Sequence, residues 1–275
     1  MKVTFLTCIL AVTTLAFTSV STKASAQQLT LSESINQAGL QRMLSQRMAK
    51  NYILLSQNVD TQAAADELDE SSALFEENIF KLNSSIKDPE AKAALKKLKQ
   101  NWYGFRHFVL SEAEKEQTVQ VVDRSTLLLK AAHALVLSLE KASRANSDHL
   151  INISGRQRML SQRLAMLYYA SHSGVQEKIF QQEMHKTSRQ FGQALSKLMS
   201  AKENNSQIDE ALQDVNNQWS FYKTKFNGSN KGRFSPKTIK VVSESLLKEM
   251  NSITKMYEVE SLAQAKYSTW IKPAN

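Results

Sequence analysis

The chain has 275 residues, 35 Lys and Arg against 26 Asp and Glu, only seven Gly and three Pro, and one Cys. That composition excludes a disulfide-stapled fold and a glycine-rich or collagen-like one, and the scarcity of turn formers points to helices rather than sheet. The basic balance favours anionic partners, but the charges are interspersed rather than blocked, so most of them read as solvated surface.

Taken from the start, Lys2 supplies a positive n-region, Val3 to Val20 is an apolar run broken by small Thr and Ser, and Ala24-Ser25-Ala26 is an A-x-A cleavage signal. The expectation is an exported, periplasmic protein that begins at Gln27. An uncleaved anchor is the alternative, because the run approaches spanning length. Cys8 falls inside this leader, which leaves the mature chain without a thiol, and Lys2 and Lys23 fall there too, which leaves 33 basic residues and a charge of +7. Export removes nucleic acid from the expected partners.

Thr30-Leu31-Ser32-Glu33 has the spacing of a capping box and opens a first helix that runs to about Ser56. A second helix is expected over Thr61–Ser84. Asp88-Pro89-Glu90 starts a third, with Leu95, Leu98, Trp102, Phe105 and Val109 at bundle spacing. A fourth covers Thr118–Ala142, with Val122, Leu129, Ala132, Val136 and Leu139 in phase.

Then the pattern restarts. Residues 35–49, INQAGLQRMLSQRMA, return as residues 151–165, INISGRQRMLSQRLA, with 11 of 15 positions identical at an offset of 116. Phe191, Lys197, Leu198 and Ser200 repeat Phe75, Lys81, Leu82 and Ser84 at that offset, and Ile208 to Phe226 repeat the third-helix stripe at 117. Gly174 is placed as the left-handed terminator of the fifth helix near Ser173. Ser235-Pro236 opens the last helix, whose register against the fourth is ambiguous by a few residues and whose end is expected to fray after Ala265. The expected fold is all-α: two tandem antiparallel four-helix bundles related by a pseudo-twofold axis, residues 27–145 and 146–275.

The repeated stretch carries the chemistry. On a helical wheel Ile35, Gly39, Arg42, Met43 and Gln46 share one stripe, while Leu44 and Met48 lie opposite and face a core. A glycine in mid-helix costs about 1 kcal/mol relative to Ala, yet both copies keep one, Gly39 and Gly155. Small residues allow a second backbone to approach, and Arg42 then meets Arg158. Two opposed guanidinium groups repel unless an anion lies between them, and a planar oxyanion suits their planar fork of donors. Gln46 and Gln162 are expected to add amide donors. Arg47 and Arg163 lie off the stripe, where a solvated or locally salt-bridged role and a role in the anion site are equally open; Met43 and Met159 read as packing.

These residues resemble the P-box of the nitrate-sensing NarX/NarQ histidine-kinase domains and the related PilJ-type N-terminal domain of chemotaxis transducers. The resemblance implies a periplasmic four-helix bundle whose first helices pack in parallel, with one arginine from each holding nitrate or nitrite. It assigns that role to Arg42 and Arg158, with Asn36, Gly39, Met43, Arg47, Asn152, Gly155, Met159 and Arg163 around them. Ser154 replaces Ala38 and Arg156 replaces Leu40, so the two boxes are not equivalent. The family's sensors continue into membrane, HAMP and output segments that this sequence does not show, so a membrane-bound sensor kinase or chemoreceptor is the expected partner.

The joint at residues 143–149 decides the pairing. If the chain turns there, the boxes meet within one molecule; if the helix runs on, they separate by roughly 40 Å and each needs a homodimer. The turn is favoured. The competing function is an interaction protein that docks on a membrane sensor without binding any ligand. An enzyme is not expected: the five His show no metal spacing, no phosphate loop occurs, and no cofactor is called for.

Overall fold

The computed structural model describes residues 28–143, 146–226 and 234–270, and of residues 265 and 267–270 only the backbone. The expected leader therefore lies outside the described residues, as does most of the loop before Phe234. Eight α-helices follow in order: α1 Leu31–Ser56, α2 Thr61–Ser85, α3 Pro89–Val109, α4 Thr118–Ala142, α5 Asn146–Ala170, α6 Glu177–Met199, α7 Ser206–Tyr222 and α8 Pro236–Trp270. Short 3-10 turns precede α4 and follow α7, and no strand occurs among the described residues. None of these helices is long and apolar enough to cross a membrane.

The boundaries follow local chemistry. At α1 the Glu33 amide donates to Thr30 Oγ1 at 3.2 Å and the Thr30 amide donates back to the Glu33 carboxylate at 2.8 Å, the reciprocal box that satisfies two end donors. Asp88 accepts from the Ala91 amide at 2.8 Å with Pro89 in the first turn, and Asn205 accepts from Ile208 at 3.0 Å to start α7. The α1–α2 and α5–α6 links are alike: each holds two positive-φ residues, Asn58 and Asp60 in the first, Gly174 and Gln176 in the second. Gly174 therefore does not terminate α5, which ends at Ala170. It supplies, at φ 84°, a left-handed turn that Asn58 makes in the other repeat. The last helix also runs beyond Ala265, to Trp270.

The chain turns between α4 and α5, and the two box helices come together inside one molecule. They lie parallel and in register: Ser32 Oγ donates to Asp148 Oδ1 at 2.7 Å near one end and Arg163 donates to Gln46 at 2.9 Å further along. Each box helix is enclosed on three sides, α1 by α2, α4 and α5, and α5 by α6, α8 and α1. That enclosure corrects the two-faced wheel. Polar Gln41, Ser45, Gln46 and Asn51 are as buried as Leu44 and Met48, because no side of the helix is left to solvent. Around the pair, each repeat closes on the same ring pair, Phe75 stacked on Trp102 at 4.3 Å and Phe191 tilted against Trp219 at 4.4 Å. One buried apolar cluster runs through both repeats.

Candidate functional site

Burial imposes an accounting on the box helices, since every enclosed polar group needs a partner. Gln41 donates to the Phe75 carbonyl and Gln157 to the Phe191 carbonyl, both at 2.9 Å, tying each box helix to the next helix of its repeat. Gln46 donates to the Ser125 carbonyl at 3.2 Å and Gln162 to that of Ser243 at 3.4 Å, tying each to the fourth helix. The amide N–H groups expected to face an anion thus hold the bundle together. These contacts also fix the register between α4 and α8 that sequence left open: Ser125 and Ser243 correspond, an offset of 118.

The arginines cross the seam. Arg42 Nη1 donates to Asn152 Oδ1 at 2.8 Å and Nη2 to the Asn152 carbonyl at 3.1 Å. Arg158 Nη2 donates to Asn36 Oδ1 at 2.8 Å and to the Asn36 carbonyl at 3.4 Å. Each guanidinium is thus gripped by the asparagine of the other repeat. The asparagines pass the interaction on: Asn152 Nδ2 donates to Glu140 at 2.6 Å and Asn36 Nδ2 to Glu258 at 2.5 Å. Glu140 lies on α4 and Glu258 on α8, again 118 apart.

The remaining donors are treated differently on the two sides. Arg42 Nη1 also approaches His133 Nδ1 at 3.4 Å, while Arg158 Nη1 donates to Asn251 Oδ1 at 2.8 Å. Burial, then Arg42 and Arg156, holds the His133 imidazole below its usual value, so it stays neutral and can accept. Nothing in the spacing of His133 marked it, because its place depends on the α4 register.

The glycines have a different job from the one expected. A Cβ on Gly39 would sit 3.3 Å from Nη2 of Arg42 and 3.3 Å from Nη2 of Arg158; on Gly155 the values are 3.4 and 3.1 Å. No facing backbone lies within 4 Å of either point. The notch receives the two guanidinium ends, not a close helix–helix approach, so both cations converge on one small volume.

That convergence is electrostatically costly. Arg42 is 1 % exposed and Arg158 0 %. Burial, then the facing Arg158 and Arg156, pushes Arg42 down to about 9, against a raising pull from Glu140. Burial pushes Arg158 down to about 10, with Glu258 pulling it back. Both stay charged at neutral pH. Among the described residues no carboxylate touches either one, and Nε of each is buried without a partner.

Arg47 and Arg163 are paired, not free. Arg47 lies 3.3 Å from Glu244 and 3.6 Å from Glu67, and Arg163 lies 3.6 Å from Glu183. Met43 and Met159 are packed, 4 % and 5 % exposed. Lys50, fully buried, was missed: it lies 2.7 Å from Glu244 and 3.1 Å from Glu67. Its counterpart is Met166, and that mismatch between the copies is the signal that could have found it. Among the described residues no group of His, Cys, Asp and Glu is placed to hold a metal.

The family model for the type IV pili methyl-accepting chemotaxis transducer N-terminal domain, PilJ, matches residues 24–126 and again residues 141–240. The chain belongs to the PilJ family. Its two PilJ units are the two repeats, and the seam between them joins the corresponding helix of each. No curated protein and no solved structure matches the chain. The PilJ assignment makes this a transducer-type sensor module.

Proposed function

We propose that this PilJ module is a periplasmic receptor for a small oxyanion, nitrate or nitrite first, bound at the seam between Arg42 and Arg158. One observation carries the reading: two fully buried guanidinium groups converge on one notch, and among the described residues no carboxylate is in contact with either. Structural arginines are normally buried against a countercharge, because the desolvation of an ion is several kcal/mol even after relaxation. The asparagine carbonyls meet the geometry of each fork but not its charge. Nitrate presents planar oxygens to the same N–H donors and adds the missing charge. Glu140 and Glu258 stand one step removed, behind the asparagines, and their field favours a singly charged anion over a doubly charged one.

The same chain of contacts supports a route outward. An anion competes with Asn152 and Asn36 for the guanidinium donors, and each asparagine is bonded to a glutamate of α4 or α8. Occupancy therefore biases how the last helix of each repeat sits, and a membrane-bound sensor kinase or chemoreceptor would read that change. The leader expected over residues 1–26 supports export, and mass analysis of the exported form should give a chain that begins at Gln27.

Thermal unfolding of the mature protein in nitrate, nitrite, sulfate, phosphate and chloride tests the site. At a hundredfold excess over the dissociation constant, nitrate should add about 2.7 kcal/mol, and Arg42→Ala or Arg158→Ala should abolish the gain. If the wild-type protein responds to none of these anions, the seam is only a joint between repeats, and the module docks on its partner without a ligand.

A further inference from the structure

The repeats are near copies, so the places where they differ in charge are informative. A cleft of about 220 Å³ opens between α4, α5 and α6. Its lining includes Lys130, His133, Arg156, Arg163 and Lys186, with Glu183 as the one acid, and it reaches the buried Arg42 of α1. Glu183 is shared between Arg163 at 3.6 Å and Lys186 at 3.5 Å. Lys130 and Arg156 are exposed and form no ion pair among the described residues. The floor is apolar: Met159 and Leu160 are buried and Leu129 half-buried.

The repeat offsets carry each lining residue to its twin on the other face. Arg156 becomes Leu40, Lys186 becomes Glu70, Thr126 becomes Glu244 and Gln190 becomes Leu74. On that face Glu67, Glu70 and Glu244 surround Arg47, while Lys50 bridges Glu67 and Glu244. Basic charge is therefore neutralised internally on one face and left unbalanced, around an open apolar-floored cleft, on the other. A structural role does not require that difference, since the balanced face packs the same helices.

We propose that the cleft between α4, α5 and α6 binds a small amphipathic organic anion at its exposed rim, outward of Arg42. Lys130, Arg156 and Lys186 at the rim hold an oxyanion head, and a hydrocarbon segment of a few carbons lies on Leu129, Met159 and Leu160. A mostly apolar concavity with a few convergent charges is the usual form of such a site. The head is a carboxylate or a phosphate monoester, and the two are separated by experiment. This inference does not depend on the seam binding nitrate.

Calorimetric titration of the mature protein with butyl phosphate, butyrate and inorganic phosphate tests it. At least one of the two organic anions should bind saturably. Butyl phosphate should bind about tenfold tighter than inorganic phosphate, because its alkyl chain leaves water. Arg156→Leu and Lys186→Glu place the twin residue at exposed positions, so folding, checked by thermal unfolding, should be kept. Each should weaken the organic anion about tenfold, and Lys186→Glu, whose charge is not among those acting on Arg42 or Arg158, should leave any nitrate response of the wild type in place. No saturable binding of either organic anion, equal affinity in both variants, or inorganic phosphate binding as well as butyl phosphate would each overturn the proposal. A tighter butyrate than butyl phosphate identifies the carboxylate as the head, and the reverse identifies the phosphate.

Discussion

Replacing Arg42 by Met should leave the ligand-free protein as stable as before, or make it more stable, while abolishing its response to nitrate. The fall of the Arg42 guanidinium from 12.5 to about 9 corresponds to roughly 5 kcal/mol of penalty on the charged form, at about 1.4 kcal/mol per tenfold in the proton equilibrium. Met removes the charge and keeps an unbranched chain in the notch. Two losses oppose the gain. Asn152 Oδ1 loses its donor, while the Asn152 carbonyl stays in the backbone ladder of α5, and an orphaned buried acceptor costs about 1–3 kcal/mol. The missing guanidinium atoms leave a small void worth about 1 kcal/mol. The net is a change of roughly 1–3 kcal/mol in favour of the variant, in line with replacing buried ions by apolar groups. For a chain of this size that is a rise in Tm of up to about 10 °C. Thermal unfolding in a buffer with only a bulky sulfonate anion, repeated with nitrate, measures both quantities. A loss of more than about 5 °C without nitrate would show that Arg42 serves the fold, and the argument from its missing countercharge would fail.

Gly155→Ala should be the more harmful glycine change, because its Cβ would press to 3.1 Å on Arg158 where that of Gly39 meets nothing closer than 3.3 Å. Nitrate affinity should drop while stability moves by less than about 1 kcal/mol, since Ala restores helix propensity. Lys50→Met should destabilise by about 1–3 kcal/mol, because Glu67 and Glu244 keep only Arg47 and, for Glu67, Lys240 at 3.4 Å. The double change Lys50→Met with Glu244→Thr, which copies the other repeat, should recover most of that loss in urea unfolding. Burial pushes the Glu67 carboxyl up, but Lys50, Arg47 and Lys240 outweigh it and hold it below its ordinary 4.5. Its contribution is therefore complete above that value and lost as pH falls below it, and the acid limb of a stability–pH profile should be shallower in Lys50→Met. Asn36→Ala should weaken nitrate-induced signalling through α8 more than nitrate binding itself, read as partner response against the thermal shift.

The sequence by itself determined the number and order of helices, because capping residues and apolar spacing are local properties of the chain. Thr30 with Glu33, Asp88 with Pro89, and the span Thr118–Ala142 all stand where local chemistry places them. The offset of 116 likewise announced two copies of one unit and singled out Arg42 and Arg158, since a glycine-notched polar box kept twice is visible without coordinates. Three-dimensional packing alone decided what those residues meet. Three-sided enclosure turned Gln46 and Gln162 inward to carbonyls of α4 and α8, and the notch at Gly39 and Gly155 took guanidinium groups where a backbone was expected. The exchange of Arg42 with Asn152 and of Arg158 with Asn36, the 118 register that brings Glu140, Glu258 and His133 to them, and the unequal charge of the two faces all join residues from different helices. Helix propensity is summed along the chain and is therefore written in it; the pairing of buried charges depends on which helices surround them, and only the packed bundle fixes that.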